Sequence, residues 1–157
     1  MGKPRVYVET SVVSYLTGRL SRDLVTVSRQ ELTREWWDQR RTEFQLFISE
    51  LVVTEAAAGD PEAARRRLDA LKRLPEVALT TETRELARTL LAPGPIPQQA
   101  AIDAFHIAAA VSGGADYLLT WNFRHLANAA LRKGIEAVCL SSGYEPPIIC
   151  TPEELMG

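Results

Sequence analysis

Cysteine is nearly absent: the 157-residue chain has two, Cys139 and Cys150. So sparse a pair excludes a disulfide framework and a zinc knuckle. It fits a reducing compartment, with the cytoplasm as the simplest home. Apolar runs are short, and none approaches the roughly 18 residues of a membrane helix, so no membrane association is expected. The opening Met1-Gly2-Lys3-Pro4-Arg5-Val6 leads directly into a strand-like run without a signal-peptide pattern. Val6 also stands where N-myristoylation needs Ser or Thr. Positive charge is not in excess: 18 Lys and Arg face 20 Asp and Glu, for a net charge of −2. That excludes nucleic-acid binding by bulk attraction and leaves only local basic patches. No Gly-rich loop or Walker sequence follows a strand, which sets aside a nucleotide-binding protein. Repeats and low-complexity segments are missing. The one loop-like shift in composition, Ala92-Pro93-Gly94-Pro95-Ile96-Pro97, is too short for a domain linker, so residues 1–157 read as a single domain.

What is present is an alternation of strands and helices. Arg5–Val8 reads as a first strand, and Thr10 or Ser11 caps a short helix over Val12–Leu16 that ends at Gly18. A longer helix covers Arg22–Arg41, with Leu24, Val27, Leu32 and Trp36 near one stripe. Phe44–Ile48 is a second strand, and Ser49 caps a helix to Ala58, stopped by Gly59. Asp60-Pro61-Glu62 opens a helix to Arg73. Glu76–Leu79 is a third strand, followed by a Thr81-capped helix to Leu91. Pro97 begins a helix to Ser112, before the stop Gly113-Gly114. Asp116–Thr120 is a fourth strand, Phe123–Lys133 a helix stopped by Gly134, and Glu136–Leu140 a fifth strand. Thr151-Pro152-Glu153-Glu154 is a capping box that opens a short last helix. Strands this short and apolar suit a sheet covered on both faces. The expected fold is a three-layer α/β/α domain with a mostly parallel sheet of about five strands. In such sheets the site lies outside the carboxyl ends of the strands.

Those ends carry Glu9-Thr10-Ser11 after the first strand and Thr120-Trp121-Asn122 after the fourth. Two helices add acids in apolar surroundings, Glu55 and Asp103. Each has a plain reading alone: Glu9 as a helix cap, Glu55 as a surface residue, Asp103 as a first-turn acid that meets the helix dipole, Asn122 as a turn residue. Together they place three carboxylates and one amide at one edge of a parallel sheet. Two unit charges about 4 Å apart repel by roughly 4 kcal/mol at an effective dielectric of 20, so the cluster calls for a cation. An all-oxygen donor set suits Mg²⁺ or Mn²⁺ better than zinc or copper.

Four segments resemble the PIN-domain nucleases, in their order and spacing. They are Val6-Tyr7-Val8-Glu9-Thr10-Ser11 with the residues to Leu16, Ser49-Glu50-Leu51-Val52-Val53-Thr54-Glu55, Asp103-Ala104-Phe105-His106-Ile107-Ala108-Ala109-Ala110, and Gly114 through Leu126. The branch most resembled contains the VapC toxins of toxin–antitoxin pairs. The resemblance implies a metal-dependent endoribonuclease, dimeric in most cases and held inactive by a small antitoxin. It puts the catalytic positions on Glu9, Glu55, Asp103 and Asn122, with Glu9, Glu55 and Asp103 as metal ligands. Thr10, Ser11 and Thr120 match small hydroxyl positions that hold site water or neighbouring ligands, and with Arg124 and His125 they form the expected substrate contacts. Two residues depart from the family's usual pattern: Glu9 stands for an Asp, and Asn122 for a position often occupied by Asp. These departures favour the alternative function, a PIN-like module that binds RNA or a partner without cutting.

His106, three residues after Asp103, shares its helix face. It reads first as a packed histidine and second as a residue that orients a ligand. Arg19, Arg22 and Arg40-Arg41 join Arg124 as candidate phosphate contacts, whereas Arg65-Arg66-Arg67 reads as helix surface. Trp36 and Trp37 point about 100° apart on a helix, so one can enter the core while the other faces a partner.

Overall fold

Val6, Tyr7 and Val8 are fully buried, as expected of a strand covered on both faces. They lie in β1 (Arg5–Val8), the centre of the sheet in this computed structural model, which describes residues 2–157. β2 (Gln45–Ser49) and β4 (Tyr117–Leu119) flank it, with Tyr7 level with Phe47 and Leu118. β3 (Glu76–Val77) lies outside β2, and β5 (Ile148–Cys150) outside β4. All pairings are parallel and the order is β3-β2-β1-β4-β5.

Parallel neighbours require crossovers, and seven α-helices among the described residues supply them. α1 (Thr10–Thr17), α2 (Leu24–Arg40), α3 (Glu50–Ala56) and α4 (Pro61–Leu71) pack on one another through α1 and α3. α5 (Thr81–Leu90), α6 (Ala101–Ser112) and α7 (Ala129–Ser141) form a second group centred on α5. The expected α/β/α architecture with five parallel strands is the observed one. Ala104, Ile107, Ala108, Ala109 and Ala110 of α6 are fully buried; alanine lets this helix approach the sheet closely without filling the space between them. Asp23, Ser49 and Asp60 cap α2, α3 and α4 through side-chain oxygens. Thr80, rather than Thr81, caps α5 and exchanges hydrogen bonds with Thr83 in a reciprocal box. Trp36 is fully buried and stacks on Phe44 at 5.8 Å. Trp37 is half-buried under the Arg41 guanidinium at 4.9 Å, so the two indoles diverge as helix geometry requires.

The expectations fail in the last third. Glu136–Leu140 is not a strand but the second half of α7, which runs through Gly134. Gly134 is there because a Cβ would lie 2.9 Å from the Pro95 ring: close packing, not chain termination, selects it. The fifth strand is instead Ile148–Cys150. Phe123–Ala127 is a turn and not the start of a helix; α7 begins at Ala129, capped by Asn128. Thr151–Leu155 also forms turns without a regular helix, although Glu154 still accepts from the Thr151 amide at 2.7 Å.

β1 and β4 are neighbours from which the chain departs in opposite directions, toward β2–β3 on one side and β5 on the other. The crevice outside their carboxyl ends is the topological switch point where open α/β sheets bind ligands. Glu9 follows β1 there, and its amide donates to the Leu119 carbonyl of β4 at 3.0 Å.

Candidate active site

Glu9 ends β1 and caps α1. Its Oε2 accepts from the Ser11 amide at 3.1 Å, and its Oε1 accepts from the hydroxyls of Ser11 and Thr120, each at 2.5 Å. The extra methylene relative to Asp is taken up by this fold-back onto the first turn of α1. The side chain is 6% exposed, and its hydrogen-bond partners among the described residues are these hydroxyls and one amide. Ser11 Oγ also accepts from the Trp121 amide at 2.8 Å, and Thr120 Oγ1 from the Asn122 amide at 2.9 Å. The ends of β1 and β4 are thus stitched together through the carboxylate.

Glu55 reaches the same crevice from the last turn of α3. Its Oε1 accepts from Thr10 Oγ1 at 2.6 Å and lies 2.6 Å from His106 Nε2. Burial by itself raises the Glu55 pKa; the hydrogen bonds from His106 and Thr10 outweigh it and hold the carboxyl below its ordinary 4.5. Glu9, Glu55 and His106 present ligand-capable atoms within 4.8 Å of one another.

Asp103 lies in the first turn of α6, at the same edge of the sheet. α6 has no side-chain cap, and the dipole at its amino end favours the acid there. Asp103 is outside the 4.8 Å group. Its Oδ1 accepts from Asn122 Nδ2 at 3.1 Å and its Oδ2 lies 2.9 Å from His125 Nδ1. Asn122 Oδ1 accepts in turn from the amides of Arg124 and His125, both at 3.1 Å. Asn122 therefore caps a turn that carries Arg124, exposed, and His125, half-buried, beside Asp103.

The hydroxyls of Thr10, Ser11 and Thr120 are engaged with Glu55 and Glu9. Arg19 and Arg22 are exposed between α1 and α2. Arg40 and Arg41 precede β2, at the amino edge of the sheet, far from the acids; Arg40 pairs with Glu43 at 3.2 Å. Arg65 pairs with Glu62 and Asp69, while Arg66 and Arg67 donate to the Thr17, Ala56 and Ala58 carbonyls, tying α4 to α1 and α3.

Two features escaped the sequence. Arg29 lies 5.6 Å from the Trp121 ring and 4.8 Å from the Phe123 ring, beside the β4 end. Tyr7 OH lies 2.7 Å from His106 Nδ1 and 2.8 Å from Ser49 Oγ, joining His106 to the end of β2. The period of two along β1 puts Tyr7 on the same side as Glu9, which is the signal that could have found it.

The donor set fits a hard divalent cation. Two carboxylates within 4.8 Å repel by roughly 3–4 kcal/mol at an effective dielectric of 20, and no Lys or Arg among the described residues pairs with either.

A family model for the PIN domain matches residues 6–131. The chain belongs to the PIN domain family. Members of this family are nucleases that generally use divalent metal ions, and Glu9, Glu55 and His106 form a group that could hold one. Among solved structures, the chain is similar to VapBC2 from Rickettsia felis bound to a DNA fragment from their promoter. The TM-score is 0.50 at 15% identity, over 94% of this chain and 98% of that one. It is also similar to VapBC-1 from nontypeable Haemophilus influenzae, with a TM-score of 0.52 at 17% identity, over 78% of this chain and 90% of that one. At these identities the likeness is one of fold. No curated protein sequence matches the chain. None of the helices among the described residues is long and apolar enough to cross a membrane.

Proposed function

We propose that this PIN domain is a divalent-metal-dependent endoribonuclease and the toxin of a type II toxin–antitoxin pair. The observation that carries the chemistry is the convergence of Glu9 and Glu55 at the switch point without a neutralising Lys or Arg. Glu9, Glu55 and Asp103 would hold Mg²⁺ or Mn²⁺. When bound, such an ion makes water more acidic and stabilises charge on phosphate oxygens. Thr10, Ser11 and Thr120 hold the carboxylates in place, and Asn122 fixes Asp103. Arg124 and His125, on the turn beside Asp103, face the phosphodiester. Water would attack phosphorus as the P–O3′ bond breaks; the water loses a proton, the departing 3′-oxygen gains one, and the products carry a 5′-phosphate and a 3′-hydroxyl.

The toxin role draws on the solved neighbours, both VapBC assemblies. A small antitoxin and a second copy of the chain are its partners in this reading. The surface offers a groove of about 400 Å³ between α2 and the β4 end, where Leu24, Val25 and Phe123 are exposed around Arg29. The test is end analysis of RNA incubated with the purified chain. Metal-dependent 5′-phosphate products support the reading, and 2′,3′-cyclic phosphates would refute water as nucleophile. The second reading, a binding module that does not cut, is favoured by the amide at Asn122, which removes one charge next to Asp103.

A further inference from the structure

We propose that Tyr7, Ser49 and His106 are positioning residues that act on Glu55 as one hydrogen-bonded chain and leave its Oε2 free to face the metal site. The inference rests on the nuclease reading above and adds residues that it does not use.

His106 is 1% exposed, Tyr7 and Ser49 are fully buried, and each polar atom in the chain has a neighbour. The Leu51 amide donates to Ser49 Oγ at 3.2 Å. Ser49 Oγ is 2.8 Å from Tyr7 OH, Tyr7 OH is 2.7 Å from His106 Nδ1, and His106 Nε2 is 2.6 Å from Glu55 Oε1. An ionised carboxylate only accepts, so Nε2 must carry a proton. A phenol with an ordinary pKa of about 10 is an O–H at neutral pH, so Tyr7 has one proton to donate. If Nδ1 were also protonated, Tyr7 would accept from it and donate to Ser49. Ser49 Oγ would then accept twice, and its own buried proton would have no partner, which costs about 1–3 kcal/mol. One arrangement satisfies every donor: Leu51 N–H to Ser49, Ser49 O–H to Tyr7, Tyr7 O–H to Nδ1, and Nε2–H to Glu55.

The consequence falls on Glu55. Its Oε1 accepts twice, from His106 and Thr10, while Oε2 has no partner among the described residues. The chain thus fixes one oxygen and presents the other. Both imidazole nitrogens are engaged, so His106 orients the acid and is not itself a ligand.

The decisive experiment pairs ¹⁵N NMR of the imidazole rings with Mn²⁺ titration of the antitoxin-free chain, unaltered and as Tyr7→Phe. The His106 ring is expected to show a protonated Nε2 and an unprotonated Nδ1. Tyr7→Phe keeps the ring that meets Phe47 edge-on at 5.5 Å. It is expected to weaken Mn²⁺ binding by up to about 10-fold, the low end of what losing a ligand's own partner costs, since Tyr7 acts through His106, and to change the His106 spectrum. A protonated Nδ1 in the unaltered protein, or unchanged Mn²⁺ affinity in folded Tyr7→Phe, overturns the proposal. If Tyr7→Phe does not fold, the spectrum of the unaltered protein decides. If the unaltered chain binds no Mn²⁺, the nuclease reading fails, and the ring spectrum still tests the positioning chain separately.

Discussion

Asn122 Nδ2 donates to Asp103 Oδ1 at 3.1 Å, so the amide that replaces the family's frequent Asp neutralises no charge yet holds the α6 acid in place. A carboxylate at position 122 would face Asp103 with no proton between them. Asn122→Asp should therefore lower the stability of the metal-free protein by about 2 kcal/mol, the scale of a hydrogen bond to a charged group. For a chain of this size that is roughly 4–8 °C in Tm. Added Mn²⁺ should recover more stability in the variant than in the unaltered chain. Thermal unfolding in EDTA and in Mn²⁺ measures both; equal Tm values in EDTA would show that the amide is not needed.

Glu9 separates structure from chemistry. A glutamine has one acceptor oxygen: turned to the Ser11 amide it keeps the cap, while its NH2 meets the Ser11 and Thr120 hydroxyls as a donor where the carboxylate accepted, and the charge is lost. Glu9→Gln should keep stability within about 1 kcal/mol, the worth of a cap, and abolish RNA cleavage. Glu9→Ala should lose both. Urea unfolding and a cleavage assay on the two variants check this, and retained cleavage in Glu9→Gln would remove Glu9 from the site.

Glu55 sets a pH dependence. Its folded-state pKa lies below the ordinary 4.5, so the unfolded chain takes up protons first as pH falls. The stabilisation is present above about 4.5 and is lost as pH drops through the lower folded value. In EDTA, the unaltered chain should lose stability on acidification below about pH 5 more steeply than Glu55→Gln. Parallel urea midpoints across that range would contradict the assignment.

How far these side chains could be read from the sequence depends on locality. Glu9 and Asn122 follow strand ends, and Glu55 and Asp103 stand in the end turns of apolar helices, so local patterns mark all four as candidates. The Tyr7–His106–Glu55 chain joins residues 48 or more positions apart in sequence, and Tyr7 inside an apolar strand looks like any core aromatic. The fold was legible where a cap and an apolar period agreed, as at Ser49 and Asp60. It was misread at Glu136–Leu140, where an apolar run after a glycine resembles a strand. There the helix runs on through Gly134, whose missing Cβ leaves room for the Pro95 ring, and no local pattern carries that information. Ile148–Cys150 is too short to show a period and becomes a strand only by pairing with β4.

Arg29 lies over Trp121 and Phe123, a cation beside the crevice. In an Asp103→Asn background, Arg29→Ala should weaken RNA binding several-fold. It should also reduce the slope of log affinity against log salt by about 1, as for the loss of one phosphate contact. Fluorescence anisotropy at several salt concentrations measures both, and an unchanged slope would move Arg29 out of the RNA path.

The most direct test is cleavage of a mixed tRNA and single-stranded RNA pool by purified protein freed of any antitoxin. It is run with Mg²⁺, with Mn²⁺ and with EDTA, beside the Asp103→Asn variant. The account predicts cutting with at least one ion, none in EDTA and none from the variant. Folded protein that cuts nothing with either ion would contradict it and leave the non-cutting binding module as the function.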